Sequence, residues 1–291
     1  MTDFAVTRFQ LWGVVLMLSA AHSGPSAAQM PAAPNHIPDV VFVGTPLGVV
    51  EGMLNLAAVA DSDVVYDLGS GDGRIVIAAA KHYGARGVGI DIDSNLVAES
   101  RRSADTAGVG GRAEFRRGDL FETDLRQASV VTLYLGRALN ERLRPHLFRD
   151  LRPGSRIVSQ NFDMGDWLPD SVVLVRGRDF GETPVHLWVM PAKMAGTWEV
   201  TLEGSGAGPA RFRLELAQRY QQLTGEVQSG GRRLRLEGAR LRGDRLTFTV
   251  ASPGTELRFQ GSVEEATASG TVAGDPGGER RRWRGTRVRP N

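Results

Sequence analysis

Val64-Val-Tyr-Asp-Leu-Gly-Ser-Gly-Asp-Gly-Arg-Ile-Val-Ile-Ala-Ala-Ala80 is the stretch that decides the fold. Val64 to Tyr66 is a short apolar run that reads as a buried strand, closed by Asp67-Leu68. Gly69, Gly71 and Gly73 then turn the chain sharply, and Ile75 to Ala80 continues as a helix. A glycine turn between strand and helix exposes bare backbone and a helix start where a ligand can approach closely.

Outward from this unit the alternation repeats. Gly87 to Ile90 reads as a second strand ending at Asp91, and Asn95 to Ala107 as a helix stopped by Gly108. Ala113 to Arg116 and Ser129 to Tyr134 are the third and fourth strands. Leu139, Leu143, Leu147 and Leu151 mark a helix that Pro145 is expected to split or kink. Pro153-Gly154 turns into a fifth strand, Arg156 to Asn161. Val172 to Val175 and Val185 to Val189 have no helix-length gap between them, which predicts a hairpin. Upstream, Thr45-Pro46 predicts a helix start, with Thr45 as the N-cap and apolar spacing to about Ala60. Residues 45–192 therefore read as an α/β, Rossmann-like sheet, parallel with a terminal antiparallel hairpin.

After Pro191 the texture changes, with a hinge expected at Ala192 to Ala195. From Gly196 apolar residues alternate with polar ones, as in Trp198, Val200 and Leu202, then Phe212, Leu214 and Leu216. About eight such strands, with Ser229-Gly-Gly231 and Gly243-Asp244 as turns, predict a small antiparallel β-barrel or sandwich over 196–289. In texture it resembles the lipocalin-like modules appended to exported bacterial enzymes. Arg280 to Arg284, around Trp283, is expected to blunt an edge strand with charge; contact with an anionic envelope or membrane surface is the alternative.

At the other end, Arg8, the apolar run Leu11 to Ala21, and small residues at Ser26 and Ala28 predict a signal peptide over 1–28, followed by a Pro- and Ala-rich linker, 29–44. Such a chain is exported, to the periplasm in a Gram-negative cell; an uncleaved membrane anchor is the alternative reading.

The 291 residues suit about two domains. With 41% hydrophobic and 23% charged residues, wholesale disorder and a multi-span membrane protein are excluded. A net charge of +2 implies no nucleic-acid partner. Cysteine is absent, which excludes disulfides, thiolate metal sites and cysteine catalysis. The five histidines have no ligand spacing, so no metal is expected.

The candidate chemistry lies at the strand ends. A dinucleotide loop would need Gly-x-Gly-x-x-Gly, but the sixth position here is Arg74. Asp67 and Asp72 would repel a pyrophosphate, yet suit a ligand carrying ammonium and sulfonium charges. That ligand is S-adenosylmethionine. Asp91, 18 residues beyond Gly73, can accept both ribose hydroxyls, and Asp119 after the third strand can meet the adenine amino group. Asp67, Gly69, Ser70, Gly71, Gly73, Asp91 and Asp119 are thus the candidate cofactor residues.

With these motifs the chain resembles class I S-adenosylmethionine-dependent methyltransferases. The string from Val64 to Ala80, Gly118-Asp-Leu-Phe121, Val130 to Leu135 and Leu151 to Ser159 resemble bacterial relatives of the ATP synthase c-subunit lysine methyltransferase family. The resemblance spans roughly residues 40–192. It implies that Asp67, Gly69, Gly71 and Gly73 line the methionine end, Asp91 the ribose and Asp119 the adenine. It also implies a protein lysine as acceptor, with a small molecule as the alternative. Past the fourth and fifth strands, Tyr134, Asn161 and Asp163 are candidate catalytic residues, with Trp167 as a wall and Asp166 as a solvated loop acid. A second reading is a non-catalytic exported binding protein: a methyltransferase scaffold whose barrel holds a ligand.

Overall fold

The computed structural model describes residues 42–177, 181–204, 211–252, 255–274 and 280–288. The expected signal peptide lies outside the described residues, as does all of the expected linker but its last three positions. No described helix is long and apolar enough to cross a membrane.

Helix α1 (Leu47–Leu56) leads into β1 (Val64–Leu68), α2 (Arg74–Tyr83), β2 (Arg86–Asp91), α3 (Ser94–Thr106) and β3 (Ala113–Arg117). Then come β4 (Val130–Leu133), α4 (Arg137–Asp150), β5 (Arg156–Gln160), β6 (Ser171–Gly177) and β7 (Gly181–Val189). The strands form one sheet in the order β3-β2-β1-β4-β5-β7-β6. The first five run parallel, and β7 pairs antiparallel with both β5 and β6. The order reverses beside β1, so the carboxyl ends of β1, β2 and β4 frame a crevice at the switch point. Strands β1, β4 and β5 are almost wholly buried, which is why they read as continuous apolar runs.

Two local expectations are corrected. Thr45 is not the N-cap of α1: Pro46 holds that position, and the Thr45 hydroxyl donates instead to Gln160 Oε1 at 2.8 Å in a buried bond. Pro145 does not split α4, which runs unbroken through it. Proline removes the N–H that Glu141 O would accept; Arg144 Nε donates to that carbonyl at 3.4 Å in its place.

Eight further strands follow: β8 (Gly196–Leu202), β9 (Arg211–Arg219), β10 (Gln222–Ser229), β11 (Arg232–Arg242), β12 (Arg245–Ser252), β13 (Thr255–Glu264), β14 (Thr267–Gly274) and β15 (Arg281–Arg287). They close into an antiparallel barrel, β15 pairing with β8 and β8 with β9. The inward residues of the alternating pattern fill it. Phe248 stacks on Phe259 at 4.4 Å, with Phe212 and Trp283 edge-on to Phe259. Eight strands give an interior just wide enough for side chains, and here side chains occupy it. Closure also corrects the reading of Arg280 to Arg284. Strand β15 is paired on both sides, so Arg282 and Arg284 point outward from a barrel wall, not an edge, while Trp283 is buried.

The barrel is joined firmly to the first sheet, and the described residues form one compact unit. Ala192 and Met194 are buried, not hinge-like. Ala192 N donates to Gly243 O at 2.8 Å, and Gln218 binds Ala192 O and Met194 N. Gly243, between β11 and β12, packs on Gly154, just before β5. The barrel therefore sits at the amino ends of the parallel strands, opposite the crevice. Trp167 is at this junction, not at a site wall. It packs on Phe148 and on Tyr220 of the β9–β10 turn, and its Nε1 donates to Gln221 Oε1 at 2.9 Å. Asp166 is no free loop acid: Arg144 and Arg219 bind it from the two sides and hold its carboxyl well below the usual carboxylate range.

Candidate cofactor cleft

A cleft of about 460 Å³ opens at the carboxyl ends of β1, β2 and β4. Its floor is the glycine loop after β1. Gly69, Gly71 and Gly73 have φ of 78°, 54° and 81°, a region where side chains are strained. The loop is also tightly hemmed in. A Cβ on Gly69 would lie 2.6 Å from Leu135 Cδ2, and one on Gly73 2.6 Å from the Phe115 ring.

Asp91 locks this loop to the next strand. Its Oδ2 accepts from Gly71 N at 2.8 Å and its Oδ1 from Asp93 N at 2.9 Å. Each oxygen keeps further acceptor capacity, enough for a vicinal diol, and Asp91 lines the cleft. Burial pushes its carboxyl above the usual range. Asp119, after β3, also lines the cleft, and its Oδ1 accepts from Phe121 N at 2.8 Å.

Asp67 is buried at the cleft floor, where Thr132 Oγ1 donates to its Oδ1 at 2.7 Å. Burial pushes its pKa up to about 7, against the Thr132 bond, and the charges of Asp91 and Asp72 add to the rise. Ser70 Oγ is buried at the same floor without a protein partner. A buried, reluctant anion beside an unsatisfied hydroxyl is a setting that an ammonium-bearing amino-acid group completes. The donor set therefore fits S-adenosylmethionine, with Asp67 and Ser70 able to hold its amino-acid end and Asp91 its ribose.

Sequence reasoning missed the second wall. Phe42 lies over Gly71, and the Arg74 guanidinium pairs with Asp72 while Nη1 donates to Thr45 O at 2.8 Å. Burial would raise Asp72, but Arg74 holds its carboxyl below the usual range. Arg74 at the sixth motif position was the available signal: it closes the loop against the segment before α1. Of the candidate catalytic residues, Tyr134 lines the cleft. Asn161 and Asp163 do not line it. Asn161 adopts φ 63° with N donating to Pro184 O, and Asp163 pairs with Arg137 at 3.2 Å. Phe162 between them stacks on Tyr134, with ring centroids 6.1 Å apart.

The raised pKa of Asp67 sets a pH dependence. Its carboxyl holds a proton in the folded chain up to about pH 7, whereas the unfolded chain releases it near 3.8. The native state thus binds more protons between these values, and this contribution to stability is lost as pH rises from about 4 to 7. A bound ammonium favours the charged form, so cofactor affinity should rise through the same window. Melting temperature and affinity measured from pH 5 to 8 should show opposite slopes in the wild type, both flattened in Asp67→Asn.

A largely parallel sheet with a glycine loop after β1, acids at the carboxyl ends of β1 and β2 and another just after β3 defines a class I S-adenosylmethionine-dependent methyltransferase, and S-adenosylmethionine is its cofactor. Residues 67–171 match the family model of the ANTKMT methyltransferase domain, and the chain belongs to this family. It is 41% identical to a protein-lysine N-methyltransferase of Saccharolobus islandicus over 157 residues, which is 54% of this chain and 97% of that protein. Identity to the mouse adenine nucleotide translocase lysine N-methyltransferase is 34%, over 54% of this chain and 65% of the relative. A crystal structure of an RNA methyltransferase from Salinibacter ruber with S-adenosyl-L-homocysteine matches with a TM-score of 0.50 and 53% identity, over 52% of this chain and 96% of that one.

Proposed function

We propose that the chain methylates lysine side chains of a protein acceptor. The observation that carries this reading is the 41% identity to the Saccharolobus islandicus enzyme over nearly its whole length. When bound, S-adenosylmethionine supplies a methyl group activated on a sulfonium. The chain's own task is to align an amine with it and to keep that amine neutral. In this reading Asp67, Ser70 and the glycines hold the methionine end, Asp91 the ribose and Asp119 the adenine. Tyr134 borders the point of entry for the amine. Asn161 and Asp163 then act through the loop that carries Phe162, not by direct contact. Asp91→Ala should weaken cofactor binding by about 2–3 kcal/mol, the loss expected for hydrogen bonds to a charged acceptor. Calorimetry with S-adenosylmethionine reads this directly, and an unchanged affinity would remove Asp91 from the site.

The Salinibacter ruber relative is described as an RNA methyltransferase. The cleft here is lined by Asp67, Asp72, Asp91, Asp93 and Asp119, with Arg74 already paired to Asp72. In this reading Asp67, Asp91 and Asp119 are taken by the cofactor, so the acceptor assay, not the cleft charge, separates a lysine from an RNA acceptor. Incubation with S-adenosylmethionine and either a lysine-rich protein mixture or total RNA, followed by mass spectrometry, decides: methyl-lysine supports the proposal and methylated nucleosides alone refute it. We further propose export, on the strength of the apolar run and the small residues before Gln29. The cofactor is made in the cytoplasm, so an exported enzyme must meet it in the envelope or before crossing. Fractionation with N-terminal sequencing tests this. A terminus near Gln29 in the envelope supports export, and an intact Met1 in the soluble cytoplasm refutes it.

A further inference from the structure

Among the described residues, eight large apolar side chains stay exposed, and seven of them belong to the methyltransferase sheet and its flanking segments. Three form a strip that begins at the cleft. Phe162, 37% exposed, stacks on Tyr134, which lines the cleft. Its neighbour Asn161 donates from N to Pro184 O on β7, and Pro184 pairs in register with Leu174 on β6. Leu174 and Val172 share that sheet face and are 61% and 48% exposed. Next to Leu174 along β6, Arg176 pairs with Glu182 at 2.8 Å. β6 is the terminal strand of the sheet, and Val172 and Leu174 stand exposed on this face, while Val173 and Val175 pack on the other. An exposed apolar strip continuous with a catalytic cleft marks an interaction surface.

We propose that this strip docks the acceptor: a protein segment in extended conformation, lying across the rim from Tyr134 over Phe162 and Pro184 to Leu174 and Val172. The proposal rests on the protein-lysine reading above. It adds which surface reads the acceptor and what it reads. From β4 to β6 the rim crosses three strand spacings, about 14 Å at roughly 4.8 Å each. An extended chain covers that distance in about four residues. With the lysine at Tyr134, the side chain about four residues away rests on Leu174 and Val172. That side chain is apolar, to match the exposed Leu174 and Val172 on which it rests.

The test uses the full chain and two synthetic eleven-residue peptides with a central lysine. One carries leucine four residues to either side, the other serine. Methyl transfer is followed with S-adenosylmethionine, and peptide binding by fluorescence anisotropy with S-adenosyl-L-homocysteine present. The leucine peptide should have a KM about tenfold lower than the serine peptide. Val172→Ser/Leu174→Ser should erase that difference, raising KM for the leucine peptide alone while cofactor affinity and kcat hold. Phe162→Ala should act in the same direction. Equal KM values for the two peptides, or a leucine preference that survives the double substitution, overturns the docking strip. If the wild type binds and methylates neither peptide, the strip is also overturned. The separate methyl-lysine assay on whole proteins then shows whether lysine methylation itself stands.

Discussion

Gly71→Val abolishes S-adenosylmethionine binding, by a hundredfold or more, in a chain that still folds. The backbone at Gly71 has φ 54°, where a β-branched residue is strained. A Cβ there would stand 2.1 Å from Phe42 Cε2, so the ring that walls the cleft must leave. The shift also breaks the bond from Gly71 N to Asp91 Oδ2, and with it the placing of that carboxylate in the cleft. Three consequences thus fall on one ligand, while the core strands beneath are untouched. Gly48→Ala is the matched control, since a Cβ at that position meets nothing within 4 Å. Calorimetric titration of both variants checks the expectation: no measurable heat for Gly71→Val, and unchanged affinity for Gly48→Ala.

The second large effect is on stability. Trp167→Ala should cost about 3–5 kcal/mol, the range for truncating a fully buried aromatic ring. Trp167 is inaccessible to solvent and contacts Phe148, Trp188 and Tyr220 with ring centroids 4.6, 6.0 and 5.7 Å away. Its carbonyl accepts from Trp188 Nε1 at 2.8 Å, and its own Nε1 reaches Gln221 of the barrel. Removing the ring therefore loosens the joint between sheet and barrel as well as the core. Denaturant unfolding followed by tryptophan fluorescence should move from one transition toward two. Trp167→Phe, which keeps the stacking and loses the bond to Gln221, should cost about 1 kcal/mol from the hydrogen bond alone. A single unshifted transition in Trp167→Ala would mean that sheet and barrel are not coupled there.

Local pattern explains what the sequence discloses of this fold and what it withholds. Runs such as Val64 to Leu68 and Val130 to Leu133 announce buried parallel strands because both faces are covered. Period-two alternation announces the barrel because one face is wet. Asp67, Asp91 and Asp119 are legible because each directly follows or ends its strand, so spacing alone brings them to one edge. Contacts between distant segments are not encoded in any such period. Thr45 looks like a cap from its neighbours, yet Gln160, 115 residues away, takes its hydroxyl. Trp167 looks like a site wall from its place after β5, yet Tyr220 and Gln221 draw it to the opposite pole. The change of texture after Pro191 reads as a hinge at 192–195, and only the bonds from Gln218 and Gly243 show that the segment is clamped.

The exported-binding-protein reading is not favoured, because the chain belongs to a family of methyltransferases and its barrel is filled by side chains. Its interior is occupied by Phe212, Phe248, Phe259 and Trp283 among the described residues. The acids and glycines of the cleft, by contrast, are disposed around an open volume. Among the described residues, none from the barrel lines the cleft.

The measurement that tests the central claim most directly is a crystal structure of the chain grown with S-adenosyl-L-homocysteine. The expected result is the ribose on Asp91, the adenine beside Asp119, and the amino-acid end against Asp67 and Ser70 below Phe42. The product bound elsewhere, or seated in the cleft with its ribose away from Asp91, would contradict it.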